Sequence, residues 1–154
     1  MRRQWTRSLL VVLAGSLLAG CAPTVSVVNH TKVGVTAIIS GKGVREAFSP
    51  TPGESSTGDV KPGAFSVYVS PSQDWINHAD DTKNFLYNQL LDPSKLTPAQ
   101  VKDIHKKLED LHNAMQQVEG NRLGEGCAGM AEEDGSYTAT VVLDGEGRLK
   151  VTCK

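Results

Sequence analysis

His105, Glu109 and His112 stand four and three residues apart in a stretch of helical periodicity. That spacing puts them within about 60° on one side of a helix. Glu109 and His112 form Glu-x-x-His, the pair that binds iron or manganese in helical bundles when matching carboxylates face it. The preceding helical stretch offers only His78, Asp80 and Asp81, and the chain has no second Glu-x-x-His. The three residues are therefore expected to form a solvated polar flank, with Lys106, Lys107 and Asp110 beside them. No metal or other cofactor is assigned.

Other catalytic patterns are incomplete. A hydrolase of the nucleophile-elbow type needs Gly-x-Ser-x-Gly, which does not occur. Asp80-Asp81 and Glu132-Glu133-Asp134 supply neighbouring acids, but in polar stretches that do not hold a carboxyl in apolar surroundings, as general acid catalysis requires. Gly41-Lys42-Gly43 and Gly124-Glu125-Gly126 lack the strand-loop-helix setting of a phosphate cradle. Tyr68, Trp75, Tyr87 and Tyr137 are a sparse set for carbohydrate stacking and are expected to cover core edges. The expectation is a chain that is not an enzyme. A hydrolase with an unrecognised site remains an alternative.

The elements that must position these residues start from 154 residues, 39% hydrophobic and 21% charged, with 16 basic against 17 acidic side chains. This composition suits one globular domain. It lacks the basic excess of a nucleic-acid binder, so nucleic acid is excluded as a partner.

The N-terminus has its own pattern. Arg2, Arg3 and Arg7 precede an apolar run from Leu9 to Leu18, which is shorter than the roughly 20 residues of a membrane-spanning helix. Charge, apolar stretch and small residues in that order make a cleaved secretory signal over residues 1–20. Leu18-Ala19-Gly20-Cys21 resembles the lipobox of bacterial lipoproteins in every position. The resemblance covers residues 1–21. It implies lipidation of the Cys21 sulfur, cleavage before Cys21 and, in many bacteria, acylation of the new amine, giving the two or three chains that stable anchoring needs. Ala22 rather than Asp follows Cys21, which for this class implies the outer membrane, with the domain facing the periplasm. In an organism with one membrane it implies the outer face of the cell membrane. Removal of the three leader arginines leaves 13 basic side chains against 17 acids, a balance that offers anionic lipid no attraction. The membrane is therefore a partner through the covalent anchor.

With Cys21 committed to lipid, Cys127 and Cys153 remain as an even pair in an oxidising compartment, which reads as a disulfide. Neither has a His or Cys at ligand spacing.

The mature chain, residues 21–154, alternates with period 2 up to Ser70. Five strands are predicted there: around Val25–Val27, Val33–Ile39, Val44–Phe48, Ser55–Val60 and Phe65–Val69. The period changes at Ser72. One helix is predicted from Asp74 or Ala79 to Leu91. A second opens on Thr97-Pro98-Ala99-Gln100, a capping box with proline at the first helical position. Val101, Ile104, Leu108, Leu111, Met115 and Val118 continue it as an apolar seam to Gly120. The short link between them makes an antiparallel hairpin over about 72–119. Residues 121–135 read as loop. Tyr137–Leu143 and Leu149–Cys153, joined at Asp144-Gly145, make two more strands in a hairpin. The fold class is mainly β within α+β, a sandwich-like domain of about seven strands interrupted by a helical hairpin.

The expected function is a lipid-anchored, non-enzymatic binding or accessory module for an envelope protein or cell-wall material. His105, Lys106, Glu109 and His112 are its candidate contact residues, because binding surfaces sit on elements carried by a rigid scaffold. A small-ligand or metal-binding lipoprotein using the helical insertion is the alternative.

Overall fold

The computed structural model describes residues 21–154. Residues 1–20, with the predicted leader and Leu18, Ala19 and Gly20 of the lipobox-like sequence, lie outside the described residues. Among these residues the fold is mainly β, 39% strand and 33% helix, with two sheets and two helices in an α+β, sandwich-like arrangement.

Alternation drives the sheets. β1 (Thr24–Asn29), β2 (Val35–Gly41) and β5 (Gly63–Pro71) each bury every second residue. β3 (Val44–Phe48) and β4 (Ser55–Asp59) are polar and lie at sheet edges. One sheet has the order β4-β1-β7-β8, where β7 is Ser136–Leu143 and β8 is Leu149–Cys153. The other has the order β3-β2-β5-β6, where β6 is Glu125–Ala131. All pairs are antiparallel except β1 with β7. Val25, Val27, Val35, Ile39, Val67, Val69 and Val141 are almost wholly buried between the sheets.

The described residues form eight strands rather than about seven, because β6 occupies part of the stretch expected to be loop. Its sequence, Glu-Gly-Cys-Ala-Gly-Met-Ala, carries no alternation of large apolar residues. A Cβ at Gly129 would meet the Phe65 ring at 2.6 Å, and one at Gly126 would lie 3.0 Å from the Val67 carbonyl oxygen. The strand is small because β5 fills the space above it, so the usual sequence signal is missing. The ladder to β5 and the disulfide hold it instead.

Cys127 and Cys153 are bonded, with Cα atoms 5.6 Å apart. The bond joins β6, the edge of one sheet, to β8, the edge of the other, and so closes one side of the sandwich.

α1 (Gln73–Leu90) starts one residue before the earlier of the two predicted starts, with Ser72 as its N-cap. The Ser72 hydroxyl accepts from the Trp75 N–H, and its own N–H donates to the Gly34 carbonyl at 2.9 Å. A short 3-10 turn at Pro93–Lys95 leads to α2 (Pro98–Gly120). The capping box at its start is complete: Thr97 Oγ1 accepts from the Gln100 N–H, and Gln100 Oε1 accepts from the Thr97 N–H at 2.8 Å. Leu86, Ile104 and Leu108 form a small core within the hairpin, joined by Leu90, Leu96 and Leu111. At its base, Ala114 and Val118 belong to the sandwich core, with Trp75 and Ile76 against it. No helix among the described residues is long and apolar enough to cross a membrane.

The registers also place the ends of the sandwich. Thr24 pairs with Asp59 and Ser136, the Pro23 carbonyl accepts from Val60, and the Thr24 N–H donates to Gly135. Cys21 therefore enters at the end formed by the β4–β5 and β6–β7 connections. Val35 pairs with Pro71 at the other end, and α1 leaves from there.

Candidate functional site

The hairpin rests on two joints. At the first, the β1–β2 loop passes under α1. A Cβ at Gly34 would meet Trp75 Cβ at 2.7 Å, so the missing side chain is what lets the indole seat there. The loop is fixed by Asn29, which is fully buried. Its Nδ2 donates to the Val33 and Pro50 carbonyls at 2.9 and 3.0 Å, and its Oδ1 accepts from the Thr31 N–H and hydroxyl at 2.9 and 2.7 Å. At the second joint, buried Asn121 ends α2. Its Nδ2 donates to the Gln117 and Gly147 carbonyls, and its Oδ1 accepts from the Leu149 N–H at 2.6 Å. The chain then turns through Gly124 at φ +68°, where a Cβ would lie 2.5 Å from the Val69 carbonyl oxygen. The Tyr68 hydroxyl donates to the Leu123 carbonyl beside it.

Between the two helices and the β1–β2 loop lies a groove of about 720 Å³. Trp75, Phe85, Leu86, Leu111 and Ala114 give it an apolar lining. Lys32, Lys107, Asp110, Asn113 and Gln117 supply the polar wall. Phe85 is 61% exposed although it is one of the larger apolar side chains.

His105, Lys106, Glu109 and His112 are all exposed. The His112 ring meets the Gln116 amide at 3.0 Å. At about 100° per residue, His105, Glu109 and His112 lie roughly 150° around α2 from the centre of the groove-lining residues, whereas Lys106 lies on the groove side of the helix without lining the groove. The sequence-predicted flank and the groove are thus separate surfaces of one helix. Lys107 and Asp110, named only as neighbours of that flank, line the groove. Among the described residues, no three of His, Cys, Asp and Glu gather to hold a metal ion. Asp80 is paired with Lys83 at 3.0 Å, while His78 and Asp81 are exposed. Tyr68 stands on the outer face of β5, and Trp75 lies in the groove. Cys21 is an exposed thiol three residues before β1.

Ion pairs on the hairpin are short-range and exposed: Lys107 with Asp103 at 2.7 Å, Lys95 with Asp92 at 2.7 Å and Arg122 with Glu119 at 2.9 Å. The Asp92 carboxyl is held below its ordinary 3.8, first by Lys95 and then by the Ser94 hydroxyl. Asp144 is likewise held low, first by the Arg148 backbone N–H and then by that of Glu146. Both carboxylates brace turns.

Sequence reasoning missed Lys32 and Gln117. Lys32 comes from a loop far from the helices in the chain, and only the fold brings it to them. No protein-family model matches this chain, and no curated protein does.

Proposed function

We propose that this chain is a lipid-anchored envelope lipoprotein and a non-enzymatic binding module. Cys21 tethers it to the periplasmic side of the outer membrane, and the helical hairpin contacts an envelope protein. The observation that carries this reading is the opposition of the two ends: Cys21 enters at the Thr24–Asp59 end, and α1 leaves from the Val35–Pro71 end. A six-residue strand such as β1 separates anchor and hairpin by about 20 Å. The 23 residues of α2 extend over about 35 Å. Pro23 is already buried and hydrogen-bonded, so only Cys21 and Ala22 link lipid to fold. A tether that short holds the sandwich close to the bilayer and turns the hairpin toward the periplasm.

The exposed flank at His105, Lys106, Glu109 and His112 is the contact surface in this reading. Photo-crosslinkers at His105 and Glu109 should capture one defined envelope protein, and a crosslinker at Lys150 on β8 should not. The charge reversals Lys106→Glu and Glu109→Lys should weaken that capture. They should leave the thermal midpoint nearly unchanged, since exposed charges contribute about 0–1 kcal/mol. Equal capture from Lys150 would move the surface elsewhere. Cys21→Ser should abolish palmitate incorporation; continued labelling would sink the anchor.

A further inference from the structure

The groove between α1 and α2 has a chemistry different from that of the exposed flank, and it is graded along its length. From Trp75 to Leu86 it follows α1 for about 16 Å. Phe85, Leu86 and Leu111 make its outer part apolar. Lys107 on that side is engaged by Asp103 at 2.7 Å, and Asp110 lies within a turn of it. Polar groups collect at the base, where Lys32, Asn113 and Gln117 line both this groove and the adjoining polar pocket. Lys32 is exposed and makes no ion pair among the described residues. Gln117 Oε1 is buried without a hydrogen-bond partner. A buried acceptor without a donor is unfavourable, and nearly all such groups in folded proteins find one.

We infer that the groove binds a single-chain anionic amphiphile. Its carboxylate meets Lys32, and its acyl chain lies over Trp75, Leu111 and Phe85. Size argues for a small ligand. A cavity of about 720 Å³ falls within the range of roughly 300–1,000 Å³ typical of small-molecule sites. An extended chain advances about 1.2 Å per bond, as extended backbone does, so a dodecanoyl chain fits the groove's length. The protein's own lipid is not the occupant, because Cys21 enters at the opposite end of the sandwich. This inference is independent of the partner-binding flank.

Trp75 is the natural reporter. The chain has two tryptophans, and Trp5 lies in the leader. N-dodecanoylglycine carrying a brominated chain is titrated into the full mature lipoprotein, anchored in phosphatidylcholine vesicles. Bromine quenches an indole only at contact, so ligand dissolved in the bilayer adds a signal common to all variants. Saturable quenching is expected. Lys32→Ala should weaken it by about tenfold or more, the order of one charge-assisted contact, while brominated dodecanol binds both proteins equally. Thr82 also lines the groove, and Thr82→Phe, which fills it, should remove the saturable component. Non-saturable quenching, equal affinity in Lys32→Ala, or quenching that survives Thr82→Phe would each overturn the inference. So would a Trp75 signal that depends on protein concentration alone, which would assign the groove to a second copy of the chain. A polypeptide that crosslinks to Phe85 and displaces the amphiphile would overturn it in favour of a protein helix.

Discussion

Asn29→Ala is the substitution from which the structure predicts the largest loss per atom removed. The side chain is fully buried, and all of its polar atoms are used: two donations to Val33 and Pro50, and two acceptances from Thr31. Each bond contributes about 1 kcal/mol net, and a buried group left unpaired costs about 1–3 kcal/mol. The single Thr31 hydroxyl hydrogen is shared between Asn29 Oδ1 and the Val33 carbonyl, at 2.7 and 2.8 Å, and can turn wholly to Val33 when the amide is gone, so not every partner is orphaned. The expected loss is about 3–5 kcal/mol, a large part of the 5–15 kcal/mol that holds a domain together. Asn29→Asp separates hydrogen bonding from size. It places a carboxylate oxygen against the carbonyls that now accept from Nδ2, so its folded-state pKa rises above the unfolded value. The folded variant then binds more protons than the unfolded one, and its stability falls as pH rises through that window. Urea denaturation followed by Trp75 emission reads both variants. A loss below about 1 kcal/mol for Asn29→Ala, or a pH-independent Asn29→Asp, would refute the claim that this amide pins the β1–β2 loop to the β3–β4 loop.

Three further outcomes follow from other contacts. Replacing both Cys127 and Cys153 by Ala should lower stability by about 3.5 kcal/mol in the chain-entropy account of a loop this size; equilibrium denaturation of the oxidised protein and the double variant gives the difference. Thr97→Ala should cost about 1 kcal/mol, with faster amide exchange confined to the first turn of α2 and little change in the sheets. The folded pKa of Asp144 is lowered, so the stability it contributes is complete above its ordinary 3.8 and lost as pH falls through the folded value. Protection of the Glu146 and Arg148 amides, taken relative to intrinsic exchange at each pH, should therefore fall in acid, and Asp144→Ala should remove that dependence.

Local patterns were legible where the physics is local. The Thr97–Gln100 capping box closes within four residues, and the apolar seam of α2 buries Ile104, Leu108 and Val118 as its spacing implies. The Cys127–Cys153 bond was legible by elimination, once Cys21 was assigned to lipid. β6 was not legible, because glycine stands on both of its faces, inward at Gly129 against Phe65 and outward at Gly126 against the β5 backbone. The groove was hidden for another reason. Lys107, Asp110, Ala114 and Gln117 do recur at helical spacing, but a mixed polar and apolar flank becomes a wall only when another element stands opposite. That element is α1 together with the Lys32 loop, and Gly34 beneath Trp75 allows the approach. Reading the polar seam alone favoured the His105–His112 flank, which the fold leaves in solvent.

The joints that carry the hairpin explain why an insertion of two helices can present a defined surface. A hairpin attached at one point would swing. Here α1 is held at its first residue, where Ser72 bonds Gly34, and α2 is held at its last, where Asn121 bonds Gly147 and Leu149. The two joints lie on different sheets: Ser72 follows β5, and Leu149 begins β8. The hairpin's orientation therefore depends on the relative position of the sheets. The Cys127–Cys153 bond fixes that position at the β6–β8 edge, on the very strand that follows α2. Reduction of the disulfide would remove the covalent tie between β6 and β8 and leave the Asn121 bonds to Gly147 and Leu149, with the β5–β6 ladder, to hold the second joint.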